Sequence, residues 1–262
     1  MTGAGMMDCR KALTETNGDI EAAIDWLRKK GQKVAALRGD RDAKEGVVLA
    51  KTTADNKTGI ALCVSCETDF VSKNAEFVAF AQSIMDAAIK ANVKSVDELN
   101  QVEINGAKIA DMVNDKLASI GEKIGISKFE RIDADFVSSY IHGTNRMGVL
   151  VGMNAAKPEA GKDVAMQIAA LNPVAVDAAS VPADVVAREK DIIMELMKQD
   201  PKMAGKPDEM LAKIAEGKMG AFFKEQTLTA QAFVKDASKS VEQYLKESGD
   251  VKVAEFKRVA LG

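Results

Sequence analysis

The chain is short of the residues that perform covalent chemistry. It has one histidine, His142, and three cysteines in 262 residues. A lone histidine cannot build a zinc site, and no Ser/His/Asp or Cys/His set pairs a nucleophile with a base. No metal or cofactor site is expected. An odd cysteine count gives no disulfide framework and fits a reducing cytoplasm. Aromatics make up 5%, with one Trp and two Tyr, too few for a platform on which bases stack. Positive charge is not in excess, since the formal net charge is -3, which argues against direct nucleic-acid contact. Charges interrupt every apolar stretch, so none reaches the length that spans a bilayer. The start, Met1-Thr2-Gly3-Ala4-Gly5, lacks the basic end and apolar run of an export signal. Gly3-Ala4-Gly5 is too short to count as a phosphate-cradling loop. What remains is a binding protein rather than an enzyme.

Residues 1–31 read as two short helices. Asn17-Gly18 stops the first, and Asp19 caps the second. Ile20, Ala23, Ile24 and Leu27 repeat at helical spacing, and Gly31 is expected to end the helix. About thirty residues bury too little surface to stand alone. Residues 32–45, rich in charge and Ala, read as a linker. Strands follow at Val47-Val48-Leu49-Ala50-Lys51 and Ile60-Ala61-Leu62-Cys63-Val64. Asn74 caps a helix with the face Phe77, Phe80, Ala81, Ile84, Ala88, and Ser95 with Glu98 reads as a capping box. A further helix carries Ile109, Met112, Val113, Leu117 and Ile120 before a strand at Ile126–Ile132.

The chain then repeats itself. The interval from Val48 to Val137 equals that from Gly59 to Gly148, and Phe256 echoes Phe129. The reading is α+β: a first copy over 46–133 and a second over 134–262, each a three-stranded antiparallel sheet backed by helices. The second copy is longer, and the surplus falls around 182–224. There Pro182 opens one helix and Met210, Leu211, Ile214, Met219 and Phe222 ride another, an inserted antiparallel helical hairpin.

One stretch stands out between the second strand and its helix: Cys66-Glu67-Thr68-Asp69-Phe70-Val71-Ser72-Lys73-Asn74. A Phe in a connecting loop either tucks into the local core or is offered to another protein. The second copy has Lys157-Pro158-Glu159-Ala160-Gly161 in that loop, shorter and without an aromatic. The scaffold therefore does not need Phe there, which favours a wedge that faces a partner. Cys63 and Cys66 spell C-x-x-C, but odd spacing on a strand sends them to opposite faces, against a redox pair.

Three segments resemble the bacterial elongation factor Ts family, exchange factors for the GTPase elongation factor Tu. They are Thr2-Gly3-Ala4-Gly5-Met6-Met7-Asp8-Cys9-Arg10-Lys11-Ala12-Leu13, Cys66-Glu67-Thr68-Asp69-Phe70-Val71, and His142-Gly143 with Arg146-Met147-Gly148-Val149-Leu150. The resemblance implies a ubiquitin-associated-like (UBA-like) helical module, a duplicated α+β core and a helical hairpin in the second half. It implies a guanine nucleotide exchange factor that binds elongation factor Tu–GDP as a heterodimer or a dimer of heterodimers. Asp69 and Phe70, held by Thr68 and Val71, would enter the GTPase domain and unseat its magnesium ion. Ile124 and Gly125 would make a second contact, Met6 and Met7 a third, and His142 would face the far domain. The family's helical module has one more helix before the first of these segments. Without it, residues 1–31 are expected to be loosely packed. The competing expectation is a protein–protein adaptor that uses the helical module and hairpin, with Phe70 structural.

Overall fold

A computed structural model describes residues 6–37, 41–203 and 205–262, the backbone alone at 32–37. The first residues of the Thr2–Leu13 segment and residues 38–40 of the expected linker lie outside the described residues. The contacts group the chain into two units. The first comprises residues 1–133, 139–150 and 257–262, and the second 134–138 and 151–256.

The first unit opens with α1 (Met6–Glu15) and α2 (Ile20–Leu37). Gly18, at φ +86°, closes α1 by donating its N–H to the Leu13 carbonyl at 2.8 Å. The Asp19 carboxylate accepts the Ala22 N–H at 3.0 Å, as a cap should. The expected stop at Gly31 is a correction: α2 runs on to Leu37. Gly31 serves close packing instead, since a Cβ there would lie 3.1 Å from Ala118 Cβ. Ala118 belongs to α6 (Ile109–Ile120), so α2 is docked on another helix. That contact supplies the support a thirty-residue module lacks by itself. Asp8 and Lys30 pair between α1 and α2.

Strands β1 (Glu45–Thr52), β2 (Thr58–Cys66) and β5 (Gly125–Asp133) form an antiparallel sheet with β2 in the middle. Val47 faces Val64 and Leu49 faces Leu62 across β1 and β2. These residues pack on α4 (Ala75–Ala91) and α6 through Phe77, Ala81, Ile84, Val113 and Leu117. Phe80, Met112 and Ile120, placed on those faces from sequence, are not fully buried. The opposite sheet face is covered too. The free edge of β1 is capped as well, with Val48 donating its N–H to the Asn145 carbonyl at 2.7 Å. A Cβ at Gly148 would sit 3.1 Å from Ala50 Cβ. This burial explains the near-continuous apolar runs of β1 and β2, which alternation would have broken had one face met water.

A one-turn helix, α3 (Asp69–Ser72), precedes α4, and between α4 and α6 lie α5 (Val96–Gln101) and a hairpin with two residues per strand, β3 (Glu103–Ile104) with β4 (Ala107–Lys108). The Asn74 side chain caps α4 by accepting the Glu76 N–H at 2.8 Å. Ser95 caps α5, but Glu98 reaches back to the Lys94 N–H rather than closing a box on Ser95.

The second three-stranded sheet orders β6 (Phe136–His142), β7 (Met147–Met153) and β10 (Val253–Ala260) with β7 central. First, middle and last strands thus occupy the same places as in the first sheet. Helix α7 (Pro158–Leu171) starts at Pro158, so Gly161, expected in a loop, lies in its first turn. There it meets Ser138 and Met153, and a Cβ would come within 2.6 Å of Ser138 Cβ. Asp163 and Gln167 on α7 are buried but satisfied. Tyr244 donates to Asp163 at 2.9 Å, Lys235 pairs with it at 2.6 Å, and Gln167 accepts the Val234 N–H at 2.8 Å. These partners lie in and beside the hairpin β8 (Ala232–Phe233) with β9 (Asp236–Ser240) and on α10 (Val241–Glu247). Helices α8 (Ala183–Gln199) and α9 (Asp208–Gln226) pack together around Ile193, Met197 and Met219. The neighbouring Ile192 and Leu196 on α8 are exposed instead. No described helix is long and apolar enough to cross a membrane.

Candidate functional site at the Thr68–Val71 turn

Strand β2 delivers the chain to Cys66 at the edge of the first core. Thr68 is extended, and α3 then makes a single turn, so the expected loop is a short helix. It closes with the Lys73 N–H on the Asp69 carbonyl at 3.1 Å and the Asn74 N–H on the Val71 carbonyl at 3.0 Å. The turn has two faces. Val71 packs against the core beneath it. Phe70 points away and is 84% exposed. An exposed Phe forgoes roughly 1.5–3 kcal/mol of burial, and no described residue covers it.

Charged partners fix the turn's base. The Glu122 carboxylate accepts the backbone N–H groups of Glu67 and Thr68, both at 3.1 Å, and the Thr68 hydroxyl at 2.6 Å. The Glu67 carboxylate accepts the Lys123 N–H at 2.6 Å and pairs with Arg41 at 3.1 Å. Asp69 pairs with Lys73 at 2.6 Å, and the Lys73 ammonium holds the Asp69 carboxyl below its usual range. Sequence reasoning missed Glu122, Lys123 and Arg41. Their signal is spatial, since Glu122 meets Thr68 only after the sheet and α6 have folded.

The remaining predicted site residues fall in different places. Gly125 begins β5, where its carbonyl accepts the Ser65 hydroxyl at 3.1 Å. Ile124 is 5% exposed and belongs to the core, while Ile120, just before that corner, is 36% exposed. Met6 and Met7 open α1 and are 86% and 75% exposed. His142 ends β6, exposed, with its Nδ1 3.0 Å from the Tyr140 hydroxyl. Thus the Thr68–Val71 turn and the Glu122–Gly125 corner come together. Among the described contacts none joins Met6, Met7 or His142 to them.

The site holds little reactivity. Among the described residues no group of three His, Cys, Asp or Glu side chains is placed for a metal ion. Cys63 and Cys66 are free and buried. Burial pushes both thiols up, Cys66 to about 12 with help from the nearby Glu122 and Glu45 carboxylates. A thiolate is suppressed where a redox pair would need one.

The Thr68–Val71 turn thus presents one outward aromatic, Phe70, on a braced base. The family described as Elongation factor TS matches residues 67–262. Elongation factor Ts of Christiangramia forsetii is 44% identical over 265 residues, covering 100% of this chain and 94% of the relative. That of Amoebophilus asiaticus is 46% identical, covering 100% and 95%. That of Yersinia pestis is 43% identical, covering 100% and 87%. This chain belongs to the elongation factor Ts family.

Proposed function

We propose that the protein is a cytoplasmic guanine nucleotide exchange factor, without covalent chemistry, that binds elongation factor Tu–GDP and promotes GDP release. The observation that carries this reading is Phe70, 84% exposed on a braced turn. Asp69 and Phe70 enter the GTPase domain and unseat the magnesium ion. A GTPase grips phosphate through aligned N–H groups, a lysine and magnesium, so a small shift of that frame weakens the nucleotide. Burying Phe70 contributes roughly 1.5–3 kcal/mol toward that shift. Thr68 and Val71 hold the turn from below.

The secondary contacts follow from exposure. Gly125 acts through its backbone. Ile124 supports the corner from the core, and Ile120 is the apolar side chain that corner can offer. Met6 and Met7 extend the interface from α1, where α1 and α2 form the UBA-like module. His142 faces the partner's far domain. Residues 46–133 and 134–262 act as the two core copies, with α8 and α9 as the inserted hairpin.

The test is release of a fluorescent GDP from elongation factor Tu. The wild type accelerates it, and Phe70→Ala does not, while its melting temperature stays that of the wild type. Acceleration by both proteins moves the mechanism away from Phe70. Acceleration by neither returns the chain to the adaptor reading.

A further inference from the structure

The hydroxyl of Thr68 is in the position from which a Thr would ordinarily cap the turn that follows, yet it makes no cap bond. It is directed to Glu122 instead, at 2.6 Å. The same carboxylate takes the two backbone N–H groups just ahead of the turn. In return Glu67 takes the backbone N–H of Lys123. Each segment therefore grips the other's main chain through a carboxylate. Hydrogen bonds to an ionised acceptor are about twice as strong as neutral ones. The turn needs such a brace. A four-residue helix cannot hold itself in water, and its Val71 side chain packs on the core. Glu122 follows Gly121, the α6 C-cap at φ +79°, so its own backbone is fixed by a long helix.

We propose that Glu122 is a positioning residue, which pre-sets the direction of Phe70 so that it meets the GTPase already aimed. The inference rests on the exchange-factor reading above. A wedge competent only part of the time binds more weakly in proportion to that fraction. Losing the clasp therefore weakens encounter, while a complex once formed exchanges at nearly its usual rate.

The experiment compares wild type, Glu122→Ala, Glu122→Gln, Phe70→Ala and the Glu122→Ala/Phe70→Ala pair. It reads affinity for nucleotide-free elongation factor Tu and the concentration dependence of fluorescent GDP release. Glu122→Ala raises the dissociation constant and the half-saturating concentration about tenfold, or about 1.4 kcal/mol, with the saturated rate within about twofold of wild type. Glu122→Gln keeps a carbonyl for the backbone donors and an amide that donates to the Thr68 hydroxyl, so it recovers to within about threefold of wild type. In the Phe70→Ala background the same Glu122→Ala change costs nothing further in affinity, because there is no wedge left to aim. The proposal is overturned if Glu122→Ala binds like wild type. It is equally overturned if the loss persists undiminished in the Phe70→Ala background, which marks general damage to the fold, or if Glu122→Gln is no better than Ala. Failure of the underlying reading is separate, and appears as full GDP release by the Phe70→Ala single variant.

Discussion

Cys66 lies under the Thr68–Val71 turn, its thiol donating to the Thr68 carbonyl at 3.2 Å. It is a structural thiol with a pH signature. Its value in the fold is raised from the ordinary 9.0 to about 12. Below about 9 both folded and unfolded chains keep the proton, and the raised value changes nothing. As pH climbs from about 9 toward 12 the unfolded chain releases a proton that the folded one retains, so stability falls. Across that window the melting temperature of wild type should drop more steeply than that of Cys66→Ala. Parallel slopes would show that the thiol does not titrate this way. The C-x-x-C spacing alone pointed to a redox pair; strand placement argued against it, and the depth of burial supplies the physical reason. The exposure of Phe70 was legible because the stretch Lys157-Pro158-Glu159-Ala160-Gly161 carries no aromatic. Glu122 was not, since its three donors come from residues more than fifty positions away in sequence.

At the scale of elements, periodicity placed helices and strands well, and glycines were where it misled. Gly31 read as a stop because glycine commonly ends helices. It has no positive φ, and α2 continues through it. Its use is the close approach to α6, where Arg28 also faces Asp115, a carboxyl that burial pushes up and the guanidinium draws back. Gly31→Val should force the helices apart and cost about 1–3 kcal/mol. Amide exchange of Ile20–Gly31 should quicken while that of β2 stays protected. Ala118→Gly in the same chain should restore much of the protection by returning the lost space. Unchanged exchange in Gly31→Val would mean that α2 is not held by this contact. Short elements escaped notice for a simpler reason. The β3–β4 hairpin has two residues per strand, too few for alternation to register, although Asn105-Gly106 between them, at φ +52° and +81°, is a recognisable turn signal.

On the scale of the whole molecule, equal residue intervals suggested a repeat, and the two three-stranded sheets each set a middle strand between its predecessor and a later strand. What intervals could not convey is that β1 and β2 are covered on both faces, which stiffens the strand leading into the Thr68–Val71 turn. Under the proposed exchange function, that rigidity bears on how contact alone changes another protein's affinity for nucleotide. If it weakens GDP binding to elongation factor Tu by some factor, GDP weakens its own binding by the same factor. Such couplings are typically about 1–3 kcal/mol, and burial of one Phe, roughly 1.5–3 kcal/mol, is of that size. Phe70 by itself is therefore large enough to carry the coupling. Titrating the factor against GDP-loaded and nucleotide-free elongation factor Tu should give a ratio of dissociation constants equal to the ratio for GDP with and without the factor. Phe70→Ala should shrink both ratios together by about tenfold or more, and weaken binding to the nucleotide-free form by a smaller margin than the wild type's coupling. If Phe70→Ala instead weakens binding to both forms alike and leaves the ratio intact, Phe70 anchors the complex, and the coupling resides elsewhere along the Glu122–Gly125 corner.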